Sequence, residues 1–202
     1  MRFTLIYDGP LPSQAAKSGR ADDKHRIREQ LHPQLVELWK THPANQFEVS
    51  ALDRSCSKGR GVVRRLRCDH YQCGEFRFVP LVTKAAHLIC ELDILFLREE
   101  AKGNVVNHVN HYGDLDNRLK VLFDALRMPE NPREIPEAAV TQLEDPFFCL
   151  LETDSLITGF RVTSERLLEP HGTDDRSRVR LVINVNVKIL QLTYGNMEFG
   201  GD

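Results

Sequence analysis

The chain has 202 residues, 41% of them hydrophobic and 28% charged, with a formal net charge of −2. That length is enough for one substantial core, that composition excludes a disordered chain, and no apolar run approaches the roughly 20 residues that span a bilayer. The opening MRFTLIYDGP is too short and too soon interrupted for a secretory signal, and five irregularly spaced cysteines give no disulfide framework, so a reduced cytoplasmic setting is expected.

In chain order, residues 2–7 (RFTLIY) read as a strand, ended by DGPLPS, whose glycine and two prolines force a turn. From Asp22 to His42, Ile27, Leu31, Leu35, Leu38 and Trp39 recur at helical spacing behind an acidic start. Pro33 inside that stretch predicts a kink or two shorter helices. Residues 43–75 are irregular. Phe76–Val82 reads as a strand, moved toward a sheet edge by Pro80. His87–Arg98 is the strongest strand, and the imperfect alternation of Ile89, Leu92, Ile94 and Phe96 suits cover on both faces.

Residues 113–127, GDLDNRLKVLFDALR, read as an amphipathic helix. Leu115, Leu119, Leu122, Phe123 and Leu126 gather on one side and Asp116, Lys120, Asp124 and Arg127 on the other, with Asp114 and Asn117 flanking the entry turn. Four prolines between Met128 and Pro146 predict a long loop with one short helix near EAAVTQL. Leu156–Leu167 and Arg178–Leu192 read as strands, the second alternating from Val179 to Ile189. The order β, α, β, β, α, β, β predicts an α+β type of α/β mixture, with a single mixed sheet flanked by helices. One domain covers residues 1–202, with an irregular basic, cysteine-containing insertion at about 43–75 and a proline-rich loop at about 129–150.

Read alone, Asp114 or Asp116 caps the helix, and Asp116–Lys120 and Lys120–Asp124 are surface pairs at i,i+4. The other reading is chemistry. Phosphodiester hydrolysis gathers negative charge around phosphorus, and oxygen-rich carboxylate sites bind Mg²⁺ while leaving positions for water and substrate. A nearby ammonium such as Lys120 stabilises the developing charge. Two carboxylates two residues apart at a loop–helix junction can aim into one cavity, and a third can come from Asp154, just before a predicted strand.

The stretches RFTLIYDGPLPS, LDILFL, DLDNRLKVLFDAL and LLETDSLITGFRV together resemble the RusA-type Holliday junction resolvases, small metal-dependent endonucleases. The Asp-x-Asp-Asn signature with its lysine three residues on and DAL after that is the specific part; roughly half the chain is covered. The resemblance implies that Asp114, Asp116 and Asp154 bind Mg²⁺, with Mn²⁺ as a possible substitute, and that Lys120 is catalytic. Asn117 and Asp124 match supporting positions, Asn117 fixing the loop and Asp124 placed to orient Lys120 or to act directly in catalysis. It also implies a homodimer on branched DNA. Thr153 stands where the family usually has a second aspartate, with Glu152, Glu144 and Asp145 near enough in sequence to replace its charge.

Charge is unevenly spread. Arg54, Lys58, Arg60, Arg64, Arg65 and Arg67 form a run of six basic residues with no acid, whereas Val121–Ser155 holds eight acidic residues. The basic run, with Arg118 and Lys102, would hold backbone phosphates, and the acidic region a metal. Cys56, Cys68, His70 and Cys73 offer the donors for a structural Zn²⁺, though without the usual CxxC knuckles. His108, His111 and Asp114 form a second possible metal triad. The chain has neither a glycine-rich phosphate loop nor a nucleophile elbow, which leaves no support for a nucleotide cofactor or a serine hydrolase. The expectation is a Mg²⁺-dependent endonuclease resolving four-way junctions. The alternatives are a catalytically degraded DNA-binding or assembly protein, and a nuclease for flaps, forks or other branched nucleic acids.

Overall fold

Alternation puts Leu88, Cys90, Leu92, Ile94 and Phe96 on one face of strand β4 (Leu88–Arg98), and all five are buried. In the computed structural model, which describes residues 1–12, 20–41, 71–98, 115–136, 145–168 and 177–200, β4 is an inner strand of a four-stranded mixed sheet. Its neighbours are β7 (Arg178–Ile189), antiparallel, and β6 (Ile157–Arg166), parallel. The strand β1 (Arg2–Pro10) pairs antiparallel with the far side of β7, giving the order β1-β7-β4-β6.

The buried face of this sheet carries Leu5 and Tyr7 from β1 and Val179, Leu181, Ile183, Val185 and Val187 from β7. Two helices contribute to the same core. Helix α1 (Arg20–Thr41) buries Ile27, Leu31 and Leu35, and helix α2 (Leu115–Leu126) buries Leu119, Leu122 and Leu126. A fully buried leucine contributes roughly 1.5–3 kcal/mol, so these stripes fix both helices against the sheet.

A second sheet has the order β2-β3-β5, from β2 (Tyr71–Cys73), β3 (Phe76–Val82) and β5 (Phe147–Leu151). It has its own small core of Cys73, Phe78, Ile135, Phe147 and Cys149. Helix α1 joins the two sheets. Its His32 accepts a hydrogen bond from the Phe148 amide at Nδ1 (2.9 Å) and stacks on Phe147 with centroids 4.3 Å apart.

The α+β mixture is as the sequence predicts, but the strands divide between two sheets instead of forming one. The division comes from two strands that the sequence reading passed over. β2 has three residues, too few to show a period, and β5 is the continuous apolar run FFCLL, covered on both faces and so without alternation. β1 continues through Asp8 and Gly9 to Pro10, which pairs with Arg178, where a turn was expected after Tyr7. Pro33 interrupts nothing: α1 is one helix, with Pro33 on its exposed side. Pro80 lies in a middle strand, not an edge. The described pairing of β2 with β3 covers only Phe76–Phe78, so Pro80 sits beyond the hairpin and pairs only with Cys149 of β5. The insertion at residues 43–70 and the short helix expected near EAAVTQL lie outside the described residues.

Candidate active site

The polar stripe of α2 splits into two halves with different surroundings. At its N-terminal end, Asp116 and Lys120 keep 61% and 56% of their side-chain surface in water. Asp116 Oδ2 lies 3.6 Å from Lys120 Nζ, while Oδ1 accepts from the Asn117 amide at 2.8 Å. The first turn of a helix favours such an anion through its free amides. An exposed pair of this kind contributes little to stability, so its groups remain open to another partner.

The C-terminal half is occupied by structural contacts. Asp124 binds Lys24 of α1 at 2.6 Å and faces Arg127 at 3.7 Å, so its carboxylate serves the junction between the helices where orientation of Lys120 was expected. Arg127 is buried and paired with Glu134. Arg28, only 2% exposed, donates to the carbonyl oxygens of Asp124 (2.8 Å) and Arg127 (3.2 Å) at the end of α2, and to Glu134. It thereby supplies donors to the carbonyls left unpaired where a helix stops. Arg118 is 4% exposed on the core side of the helix, which removes it as a surface contact for phosphate.

Asp154 is exposed at the start of a single 3-10 turn, Asp154–Leu156, between β5 and β6. Buried Leu156 anchors the turn, and the turn lies against α2. Thr153 Oγ1 points to Asp154 Oδ1 at 3.4 Å. Two of the acids expected to replace the charge missing at Thr153 are engaged elsewhere. Glu152 accepts from the Lys84 amide at 2.7 Å, and Asp145 holds Arg77 in a two-pronged ion pair. Glu144 lies outside the described residues.

Asp114, Lys102, His108, His111, the basic residues from Arg54 to Arg67, and Cys56, Cys68 and His70 also lie outside them. Cys73 is a free thiol in the small core beside Phe78 and Phe147, and burial pushes its pKa up. Among the described residues no three His, Cys, Asp or Glu side chains converge as a metal-binding group. The two described carboxylates are nevertheless hard oxygen donors with water-facing lone pairs, on elements that touch, which is the donor chemistry Mg²⁺ takes.

The sequence reading did not single out a hollow of about 730 Å³ on the face of the four-stranded sheet opposite the helices. Arg2, Thr4, Asp93, Arg161, Asn184 and Asn186 line it, and their alternation with buried residues is the signal that places them together. No protein-family model, curated protein or solved structure matches the chain. The likeness to junction resolvases therefore rests on the quoted motifs.

Proposed function

We propose that the protein is a Mg²⁺-dependent, structure-selective DNA endonuclease that resolves four-way junctions by phosphodiester hydrolysis, acting as a cytoplasmic homodimer. The observation that carries this reading is the solvent-facing Asp116–Lys120 pair beside the Asp154 turn, on a helix whose other charges are taken up by packing. Asp114, Asp116 and Asp154 would hold the metal, and Mn²⁺ would substitute. A metal ion held there would supply polarisation of a phosphoryl oxygen, a lowered pKa for attacking water and neutralisation of the leaving oxygen. Lys120 places its ammonium where charge develops on the phosphoryl group. The backbone N–H of Asn117 donates a hydrogen bond to Asp116 Oδ1, which fixes that carboxylate in the first turn.

The basic residues Arg54, Lys58, Arg60, Arg64, Arg65 and Arg67 would grip backbone phosphates, so branch shape rather than base sequence sets selectivity. No described helix is long and apolar enough to cross a membrane. One observation favours a second reading. Thr153 stands at the turn where a further acid is expected, and Glu152 and Asp145 are already bonded, which suits a DNA-binding protein without cleavage.

The test is cleavage of a labelled synthetic four-way junction, with linear duplex as control, by wild type and Asp116→Asn in Mg²⁺, Mn²⁺ or EDTA. Paired, metal-dependent cuts that vanish in the variant are expected. Tight junction binding with no cleavage under any metal would replace this reading with the second. Cutting of flaps or forks in preference to junctions would keep the chemistry and change the substrate.

A further inference from the structure

The two edges of the four-stranded sheet are treated differently. At β1, α1 occupies the backbone groups that face away from β7. Ile6 donates its amide to Gln34 Oε1 at 2.9 Å and its carbonyl accepts from Gln34 Nε2 at 2.7 Å. Gln30 does the same for Asp8, at 3.2 and 3.1 Å. An open strand edge is a template for another strand, and these two glutamines close this one. β6 is the opposite edge. It runs ten residues, and among the described residues no strand pairs with its outer side.

We propose that β6 pairs antiparallel with β6 of a second copy, about a two-fold axis through Thr163, joining two four-stranded sheets into one. The sequence of β6 is self-complementary in that register. Arg161 faces Glu165 of the partner subunit, and Phe160 faces Arg166 of the partner subunit, each pair occurring twice. Side-chain direction agrees. Arg161, Thr163 and Glu165 align with Asp93, Leu95 and Leu97 on the outer sheet face, while Phe160, Val162 and Ser164 align with Leu92, Ile94 and Phe96 on the helix side. Directly opposed residues of an antiparallel pair share a face, so both contacts are allowed. Moving the axis to Arg161 or to Glu165 opposes like charges. Phe160, 57% exposed although its ring packs edge-on against Phe123 of α2, gains a guanidinium over it.

A two-fold axis of this kind stands perpendicular to the sheet. Both copies of α2 then lie on the same side, with both candidate sites open in one direction, as paired cuts in a near-symmetric junction require. Only that consequence rests on the nuclease reading; the strand pairing stands without it.

Sedimentation velocity of wild type, Arg161→Glu, Glu165→Arg, an equimolar mixture of the two, and the double exchange tests the interface. Wild type is expected to be dimeric, with each single reversal weakening the dimer roughly tenfold by opposing like charges twice. The mixture and the double exchange restore it. Circular dichroism checks that each variant is folded, and Thr163→Cys is expected to cross-link between copies on oxidation where wild type does not. A wild-type monomer at the highest soluble concentration, or a dimer indifferent to both reversals, overturns the interface. A charge-sensitive dimer that cuts no junction supports the interface and removes the nuclease reading. A monomer that cuts junctions does the reverse.

Discussion

Asp8 shows how a single side chain near the end of an edge strand ties sheet and charge together. Its carboxylate accepts from Arg178 Nε at 2.8 Å and from Arg180 at 2.8 and 3.0 Å, both on the neighbouring β7. The bond from Arg178 is the main reason its pKa lies below the ordinary carboxylate value; partial burial works against this and Arg180 adds to it. A carboxyl with a depressed folded pKa stabilises fully above its unfolded value, and loses that contribution as pH falls through the folded one. Asp8→Asn is therefore expected to cost about 1 kcal/mol at neutral pH and almost nothing in strong acid. Urea unfolding at both pH values measures it. An equal loss at both would show that the side chain acts through packing and not through its charge.

At the scale of elements, α2 was legible because its apolar stripe keeps a 3.6-residue period, and five of its six buried residues are apolar. The sixth, Arg118, was not legible, since spacing alone does not say which charge the core accepts. The same holds at the far end of the helix. Asp116, Lys120, Asp124 and Arg127 form one polar stripe in sequence, and only packing against Lys24, Arg28 and Glu134 separates the first two from the last two. The missing strands follow the same logic, for β5 shows no alternation when both of its faces are covered. Edge protection by α1 was equally hidden, because a glutamine at i and another at i+4 on an exposed helix face read as solvated. Replacing both, Gln30→Ala with Gln34→Ala, is expected to lower stability by roughly 1–2 kcal/mol. It also uncovers the β1 edge, so species larger than a dimer should appear in sedimentation. Unchanged stability and unchanged size would show that water serves the Ile6 and Asp8 groups as well as the glutamines do.

For the whole molecule, a net charge of −2 sets the terms on which it meets DNA. A near-neutral chain has no general attraction to a polyanion, so binding must depend on where the charges are. The six basic residues between Arg54 and Arg67 are the largest unbroken positive run, whereas three of the positive groups where the helices meet are spent internally: Arg28 and Arg127 are buried against Glu134 and Lys24 is bonded to Asp124. Each phosphate neutralised releases condensed counterions, and the slope of log affinity against log salt is about −0.9 per duplex phosphate contact. If the whole run engages the duplex, the slope approaches about −5 for each chain bound. Fluorescence anisotropy on a labelled junction in EDTA, across a salt series, measures it without cleavage. Lys58→Gln with Arg60→Gln should reduce the slope by about 2, because two fewer phosphates are neutralised. A shallow slope in wild type, or a steep one unchanged in the variant, would move the DNA contact away from this segment. The candidate carboxylates would then need a different surface to bring a phosphodiester to them.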